Sequence, residues 1–370
     1  MPPRICIDCS PLLVRSAGVK TYLHHWLAAL RAMHPERIQT FLEPPGKTLD
    51  HGGGPGVHPA RLAALQLVNR LPSACTALFM QKPEILHISN LLRNCLQAPI
   101  VSATIHDLTA WITPQFHRTA QVTADKAFAS RVGRHARGLI AVSENTRQDA
   151  IRLLGTAEQS IRVIYPGVPD SYFSPNPAEA SRASQTLGLT TPYFLFTSTI
   201  EPRKNVDTLL DAWASLPPAF HRDNQLVLAG MPGWNSGGTM RRLAQLARER
   251  SGVRYLGYVP EGLLPGLTAG AQALLYPSYY EGFGLPVAQA MAAGCPVVTS
   301  HVSCLPEVAG GAALLIDPAS ESDLAFAIRN VRESASLRER LVDAGRKRAQ
   351  AFTWRKAAEL SFQYFNDLAG

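Results

Sequence analysis

Long hydrophobic runs are missing from this chain; none approaches the ~18 apolar residues of a membrane-spanning helix. The opening stretch, MPPRICIDCSPLL, carries too short an apolar segment for a secretory signal. A soluble, cytoplasmic protein is the expectation. Cysteine is sparse, six in 370 residues, which excludes a disulfide scaffold. Cys6 and Cys9 form a C-x-x-C inside an apparent strand followed by Ser10-Pro11, where a redox pair would open a helix. They read as buried strand cysteines. Acidic residues are the scarcer charge, 28 against 36 Lys and Arg, for a net charge of +8. There is no Asp-x-Asp, H-E-x-x-H, doubled C-x-x-C or G-x-G-x-x-G, so metal and dinucleotide readings lose their main supports. His24 and His25 are neighbours on a helix and point about 100° apart, so they cannot chelate one ion together. Gly46-Lys47-Thr48 imitates the end of a P-loop, but the Gly required five positions earlier is Phe41. The surrounding Glu43–Pro59 reads as a mobile Gly/Pro-rich loop.

What is present is an apolar content of 46%, enough for a core in each half of a chain whose length suggests two domains. Short β-branched or Leu-rich runs alternate with amphipathic stretches of about a dozen residues, the pattern of βαβ units and a parallel sheet. In the first half the expected strands are 4–8, 39–42, 84–89, 100–106, 138–142 and 162–164, with helices such as 19–33 and 145–154 between them. Residues 169–191 are rich in Pro, Ser and Ala and read as a linker with a short helix. A second alternating block follows, with strands at 193–199, 225–229, 253–256, 273–276, 296–299 and 313–316. The economical architecture is α/β: two Rossmann-like domains with parallel sheets facing across a cleft. Domain bounds of 1–172 and 192–350 follow, with a linker at 173–191. Residues 351–370 form a closing helix packed through Trp354, Phe362, Tyr364 and Phe365.

Open α/β sheets bind ligands beyond the carboxyl ends of their strands. Arg15 and Gly18 lie there after the first strand, and His106 and Asp107 after the fourth. Glu201, Arg203, Lys204 and Asn205 follow the strand at 193–199, and Tyr279 to Pro286 follows the strand at 273–276. Gly18 lets backbone approach a phosphate at a helix N-terminus. Arg203 and Lys204 are adjacent cations, a planar fork and a point charge, just before a helix whose amino end is electropositive. Gly282 and Gly284 free backbone amides beside the carboxylate of Glu281, and Pro286 suits a first helical turn. Together these make a diphosphate cradle with one carboxylate for hydroxyls. Singly, an Arg-Lys pair is a solvated cap and a Gly-x-Gly a turn; their joint placement at strand ends carries the reading.

At these residues the chain resembles the retaining GT-B glycosyltransferases of the group-1, or family-4, class, among them bacterial mannosyl- and rhamnosyl-transferring members. The dense part is YLGYV (255–259), LYPSYYEGFGLPVAQAMAAGCPVVTS (275–300) and LPEVAGGAALLIDP (305–318). FTSTIEPRKN (196–205), TIHDL (104–108), AVSENTRQD (141–149) and VIYPGV (163–168) join it. The resemblance implies a nucleotide-diphosphate-sugar donor on the C-terminal domain, with GDP-mannose favoured. Arg203 and Lys204 would hold the diphosphate and Glu281 the donor-sugar hydroxyls. The amides of Phe283, Gly284 and Leu285 would contact sugar or phosphate, and Tyr258–Val259 would border the base. Gly18 would approach the diphosphate, His106 would sit beside the sugar from the N-domain side, and the terminal helix would cross back to the N-domain. The family's second Glu, which accepts from both ribose hydroxyls, is here Gln289, whose one oxygen accepts and whose nitrogen only donates.

The implied reaction is metal-independent and needs no cofactor beyond the donor: cations and helix dipoles take the leaving-group charge, and the acceptor attacks from the front face. The acceptor is expected to be a glycan or a lipid-linked sugar in polysaccharide or glycolipid assembly. Two other readings are a non-catalytic GT-B-fold binding subunit and a nucleotide-sugar epimerase. The basic excess lies in residues 1–180, with 18 Lys and Arg against 12 Asp and Glu. Lys126, Arg131, Arg134, His135 and Arg137 fall within Asp125–Arg137; Arg131, Arg134 and His135 share one side with Arg137 off it, as either a solvated face or a peripheral contact with anionic membrane at its cytoplasmic side. Nucleic acid is not an expected partner, since no basic stripe with interleaved aromatics appears.

Overall fold

The computed structural model describes residues 2–13, 18–44, 59–70, 83–92, 98–173, 175–249 and 251–370. Most of Glu43–Pro59, and Arg15, lie outside the described residues. Two compact units emerge. The first comprises Met1–Pro114, Thr119–Gly167 and Trp354–Gly370; the second comprises Gln115–Arg118 and Val168–Thr353.

The first unit is built on a six-stranded parallel sheet of β1 (Ile5–Asp8), β2 (Ile38–Phe41), β3 (Ile85–Ile88), β4 (Ile100–Ile105), β5 (Gly138–Ala141) and β6 (Ile161–Val163). Its strand order is β2-β1-β3-β4-β5-β6. Ile5 of β1 registers with Ile38 on one side and Ile85 on the other. β1, β3 and β5 are buried along their whole length, as continuous apolar runs demand in a sheet covered on both faces. Helix Gly18–Met33 buries Tyr22, Leu23, Trp26, Leu27 and Leu30 as one stripe. Helix Trp354–Ala369 packs on that helix and belongs to the first unit. The Trp26 indole donates to Ser361 Oγ at 3.0 Å, Arg37 donates to Asn366 Oδ1 at 2.8 Å, and the Arg37 guanidinium lies 4.7 Å from the Phe362 ring centre. Trp354, Phe362, Tyr364 and Phe365 are all buried. Gly138 leaves room for Tyr364, since a Cβ there would overlap the phenol.

The second unit repeats the plan with β7 (Tyr193–Thr197), β8 (Gln225–Ala229), β9 (Val253–Gly257), β10 (Ala273–Tyr276), β11 (Val297–Ser300) and β12 (Leu314–Ile316). The order is β12-β11-β10-β7-β8-β9, all parallel. The stretch 169–191 contains helix Pro177–Thr186, opened by the Asn176 side chain on Ala178 N–H and by proline in the first turn. Cys6 lies in β1, while Cys9 falls just beyond it; both are buried. Among the described residues no helix is long and apolar enough to cross a membrane.

Candidate active site

Strand order reverses once in each sheet, between β1 and β3 and between β7 and β10, and open α/β sheets place ligands beyond the carboxyl ends at such reversals. In the second unit the two flanking loops carry Arg203, Lys204 and Glu281. After β7 the chain makes a 3-10 turn at Pro202–Lys204 and stops at Asn205, whose φ of 58° is left-handed. Asn tolerates that region, and its side-chain amide donates to the Pro277 carbonyl at 2.9 Å and the Pro318 carbonyl at 2.7 Å. The turn is thereby stapled to the loop after β10, and helix Val206–Ala214 starts at the next residue.

Arg203 and Lys204 are both 8% exposed and converge on Glu281, itself 6% exposed. Arg203 Nη1 donates to Glu281 Oε2 at 2.9 Å and Nη2 to Glu201 Oε1 at 2.9 Å. Lys204 Nζ donates to Glu281 Oε1 at 2.6 Å and to Tyr276 Oη at 2.9 Å, and Tyr276 Oη donates to the same Oε1 at 3.0 Å. Burial pushes the Glu281 carboxyl up, but Arg203 and Lys204 outweigh it and hold the group down at about 2. Burial and Arg203 push Lys204 down; Glu281, Tyr276 and Glu201 reverse the balance and leave it raised. Glu201 goes the other way, since burial lifts its carboxyl by more than the two cations lower it. Two cations and two carboxylates thus form one buried cluster.

The rest of the loop is set by its backbone. Glu281 N–H donates to Ser303 Oγ at 3.1 Å. Gly284 caps helix Leu285–Ala292 with φ of 85°, where a Cβ would also press on Leu305. Phe283 is buried, and its ring meets Phe352 edge-on at 5.3 Å. One turn into the helix, Gln289 shares the half-buried side with Leu285. Tyr258 follows β9 and is half-exposed, Val259 beside it is buried, and Met231 stands exposed after β8.

His106 and Gly18 belong to the first unit. His106 directly follows β4, with its ring edge-on to Tyr22 at 4.8 Å, and burial pulls the imidazole down to about 4, so it is neutral at pH 7. Gly18 opens helix Gly18–Met33, and among the described residues nothing lies within 4 Å of where its Cβ would go. At the β1/β3 reversal Asp8 is buried and accepts from Ser10 N–H at 2.9 Å, Ser10 Oγ at 3.0 Å, Ser89 N–H at 3.1 Å and Ser89 Oγ. A cavity of about 20 Å³, the size of one water, lies against Asp8, Tyr22, Ser89, Thr104 and His106. Sequence reasoning placed Glu201 in the right loop without a role, and it missed Tyr276 and Asp8. The Asp8 network joins residues 81 apart, a relation without local signal.

A sequence model described as "Glycosyl transferases group 1" matches residues 177–348, and one described as "Glycosyltransferase Family 4" matches residues 16–172. The chain belongs to this glycosyltransferase family. Among its relatives, the O-antigen chain mannosyltransferase B of Escherichia coli is 34% identical over 252 residues, covering 68% of this chain and 66% of that protein. The MMP alpha-(1->4)-mannosyltransferase of Mycolicibacterium hassiacum is 31% identical over 236 residues, covering 62% and 53%. The chain thus spans about half to two thirds of the length of such relatives. Among solved structures, a sucrose-phosphate synthase from Thermosynechococcus elongatus aligns over 99% of both chains with a TM-score of 0.75 at 23% identity. Anabaena HepE in complex with UDP and glucose aligns over 99% and 100% with a TM-score of 0.75 at 18% identity. The fold of this family member is GT-B.

Proposed function

We propose that this glycosyltransferase moves a hexose, mannose from GDP-mannose by preference, to a glycan or lipid-linked acceptor, retaining the anomeric configuration without a metal ion. The observation that carries the reading is the pair Arg203 and Lys204, buried side by side at the β7/β10 reversal and aligned by Glu281. When the bond between the anomeric carbon and the β-phosphate oxygen breaks, its electron pair goes to the diphosphate. Both cations and the amino ends of helices Val206–Ala214 and Leu285–Ala292 oppose that charge, and they are in place beforehand. The acceptor hydroxyl bonds to the anomeric carbon from the same face, and its proton passes to the departing diphosphate. A carboxylate offers about four acceptor positions. Arg203, Lys204 and Tyr276 orient Glu281, and its carboxylate is assigned to a sugar hydroxyl. His106, neutral at pH 7, offers a hydrogen bond without competing charge. Gly18, Phe283, Gly284, Leu285 and Gln289 are assigned to the donor, with Tyr258 and Val259 at the base.

Two relatives named as mannosyltransferases support the choice of sugar. The test is a thermal-shift panel of GDP- and UDP-sugars, followed by turnover with the best binder and assignment of the product anomer by NMR. No midpoint shift with any nucleotide sugar refutes the donor site, an inverted product refutes retention, and loss of turnover with chelator refutes metal independence.

A further inference from the structure

Between helices Thr109–Ile112 and Thr119–His135 the chain leaves the first unit for four residues, Gln115–Arg118, which belong to the second. There Phe116 stacks on Tyr279 with ring centres 5.3 Å apart and planes 14° from parallel. His117 stacks on Trp234 at 5.7 Å and 27°, and the Trp234 indole N–H donates to the Phe116 carbonyl at 2.5 Å. Both partners sit on loops that converge on the cation pair. Tyr279 N–H donates to the Arg203 carbonyl at 3.0 Å, and Arg203 Nη1 donates to the carbonyl of Tyr280 at 2.5 Å. Trp234 follows Gly233, whose N–H donates to the Ile200 carbonyl at 2.8 Å. A Cβ on Gly233 would press on Thr199, Ile200 and Glu201, so this loop lies tight against the residue that holds Arg203. The contacts close a ring, from Arg203 to Tyr279, Phe116, Trp234, Gly233 and Ile200, then along the backbone to Arg203 again.

Aromatic stacks with a hydrogen bond between them make a stiff brace at small entropic cost, because each ring has only two side-chain torsions. We propose that Phe116 is a positioning residue: through it, Gln115–Arg118 holds the loops bearing Arg203 and Glu281 at the spacing the leaving diphosphate needs. The inference rests on the donor-site reading above. A side chain that acts by placing others is felt most where charge develops, so its loss shows in kcat more than in the donor KM.

The experiment compares full-length wild type with Phe116→Ala, Phe116→Tyr and Trp234→Phe. It measures kcat and KM for the best nucleotide sugar, calorimetric binding of GDP and UDP, and the thermal midpoint. Losing one aromatic stack predicts a fall in kcat of about 3- to 10-fold in Phe116→Ala, recovered in Phe116→Tyr. Trp234→Phe keeps a ring but loses the indole donor, and is expected to lose about 5-fold. Unchanged kcat in folded Phe116→Ala overturns the inference, as does a loss that Phe116→Tyr does not recover. If Phe116→Ala fails to fold, Trp234→Phe decides: full kcat there overturns the inference. A wild type that neither binds nor turns over any nucleotide sugar refutes the donor site itself, a result distinct from an active wild type with indifferent variants.

Discussion

Lys204→Met removes a charge at nearly constant volume and so tests the buried cluster directly. Nζ holds Glu281 Oε1 at 2.6 Å and Tyr276 Oη at 2.9 Å. Without it Glu281 keeps Arg203 at 2.9 Å and Tyr276 at 3.0 Å. Breaking one side of a buried ion pair costs about 3–5 kcal/mol, because the partner is left under-compensated. Arg203 keeps part of that compensation, so the low end, about 3 kcal/mol, is the expected loss. At about 2–4 °C per kcal/mol for a unit of this size, the midpoint drops by about 6–12 °C at pH 7. The pH dependence has a definite sign. Glu281 is held at about 2, below the ordinary carboxylate value near ~4.3, so its contribution is present above pH ~4.3 and lost as pH falls toward 2. In the variant burial acts against fewer cations, the carboxyl rises, and the gap to wild type narrows as pH is lowered from 5. Scanning fluorimetry across pH 7 to pH 3 reads this. Turnover falls by at least about a hundredfold, since the leaving diphosphate loses a preorganised cation. A midpoint within about 2 °C of wild type at pH 7, or a gap that does not change with pH, would refute the cluster as the element that sets Glu281.

Gln289→Glu is expected to keep or tighten nucleotide binding, and Gln289→Ala to weaken it; calorimetry with both variants unchanged would make the residue structural. His106 is depressed to about 4 and His87 to about 3, both first by burial, so the unfolded chain takes up protons before the folded one and stability falls as pH drops below ~6.5. His106→Asn should flatten that slope, as urea unfolding at pH 7 and pH 5 would show, and wild-type kcat should carry no His106 titration between pH 6 and pH 8. Arg131 donates to the Leu92 carbonyl at 2.7 Å, so Arg131→Glu should lower stability, whereas Arg134 and Arg137 are exposed. If the basic face meets membrane, Arg134→Glu with Arg137→Glu abolishes salt-sensitive co-sedimentation with anionic vesicles; binding that ignores both reversals refutes that contact.

The strands were legible because parallel sheets covered on both faces need apolar runs, and ICI, YFLF and ALLY are such runs. Most strand ends fell within a residue or two, and the reversal point between β7 and β10 then brought Arg203, Lys204 and Glu281 together. Distance in sequence hid the rest. Nothing in the pattern of QFHR between two helices says that its backbone meets an indole 118 residues later. Glu201 reads as an ordinary acidic residue before a proline until its carboxylate is seen on the Arg203 fork. The Tyr276 hydroxyl was hidden for another reason, because a tyrosine ending a buried strand reads as core.

Helix Trp354–Ala369 packs on Gly18–Met33, yet it is translated about 190 residues after Gly167 closes the rest of the first unit. At about 5–20 residues per second, a ribosome needs about 10–40 s to cover that gap. For that interval the side of Trp26 that will meet Ser361 and Phe365 has no partner helix, while the second unit can already fold. The nascent protein therefore carries an open apolar seam whose lifetime is set by translation rather than by folding. A chaperone that binds such seams would meet this chain first at Gly18–Met33, and slow codons within residues 168–353 would lengthen the encounter.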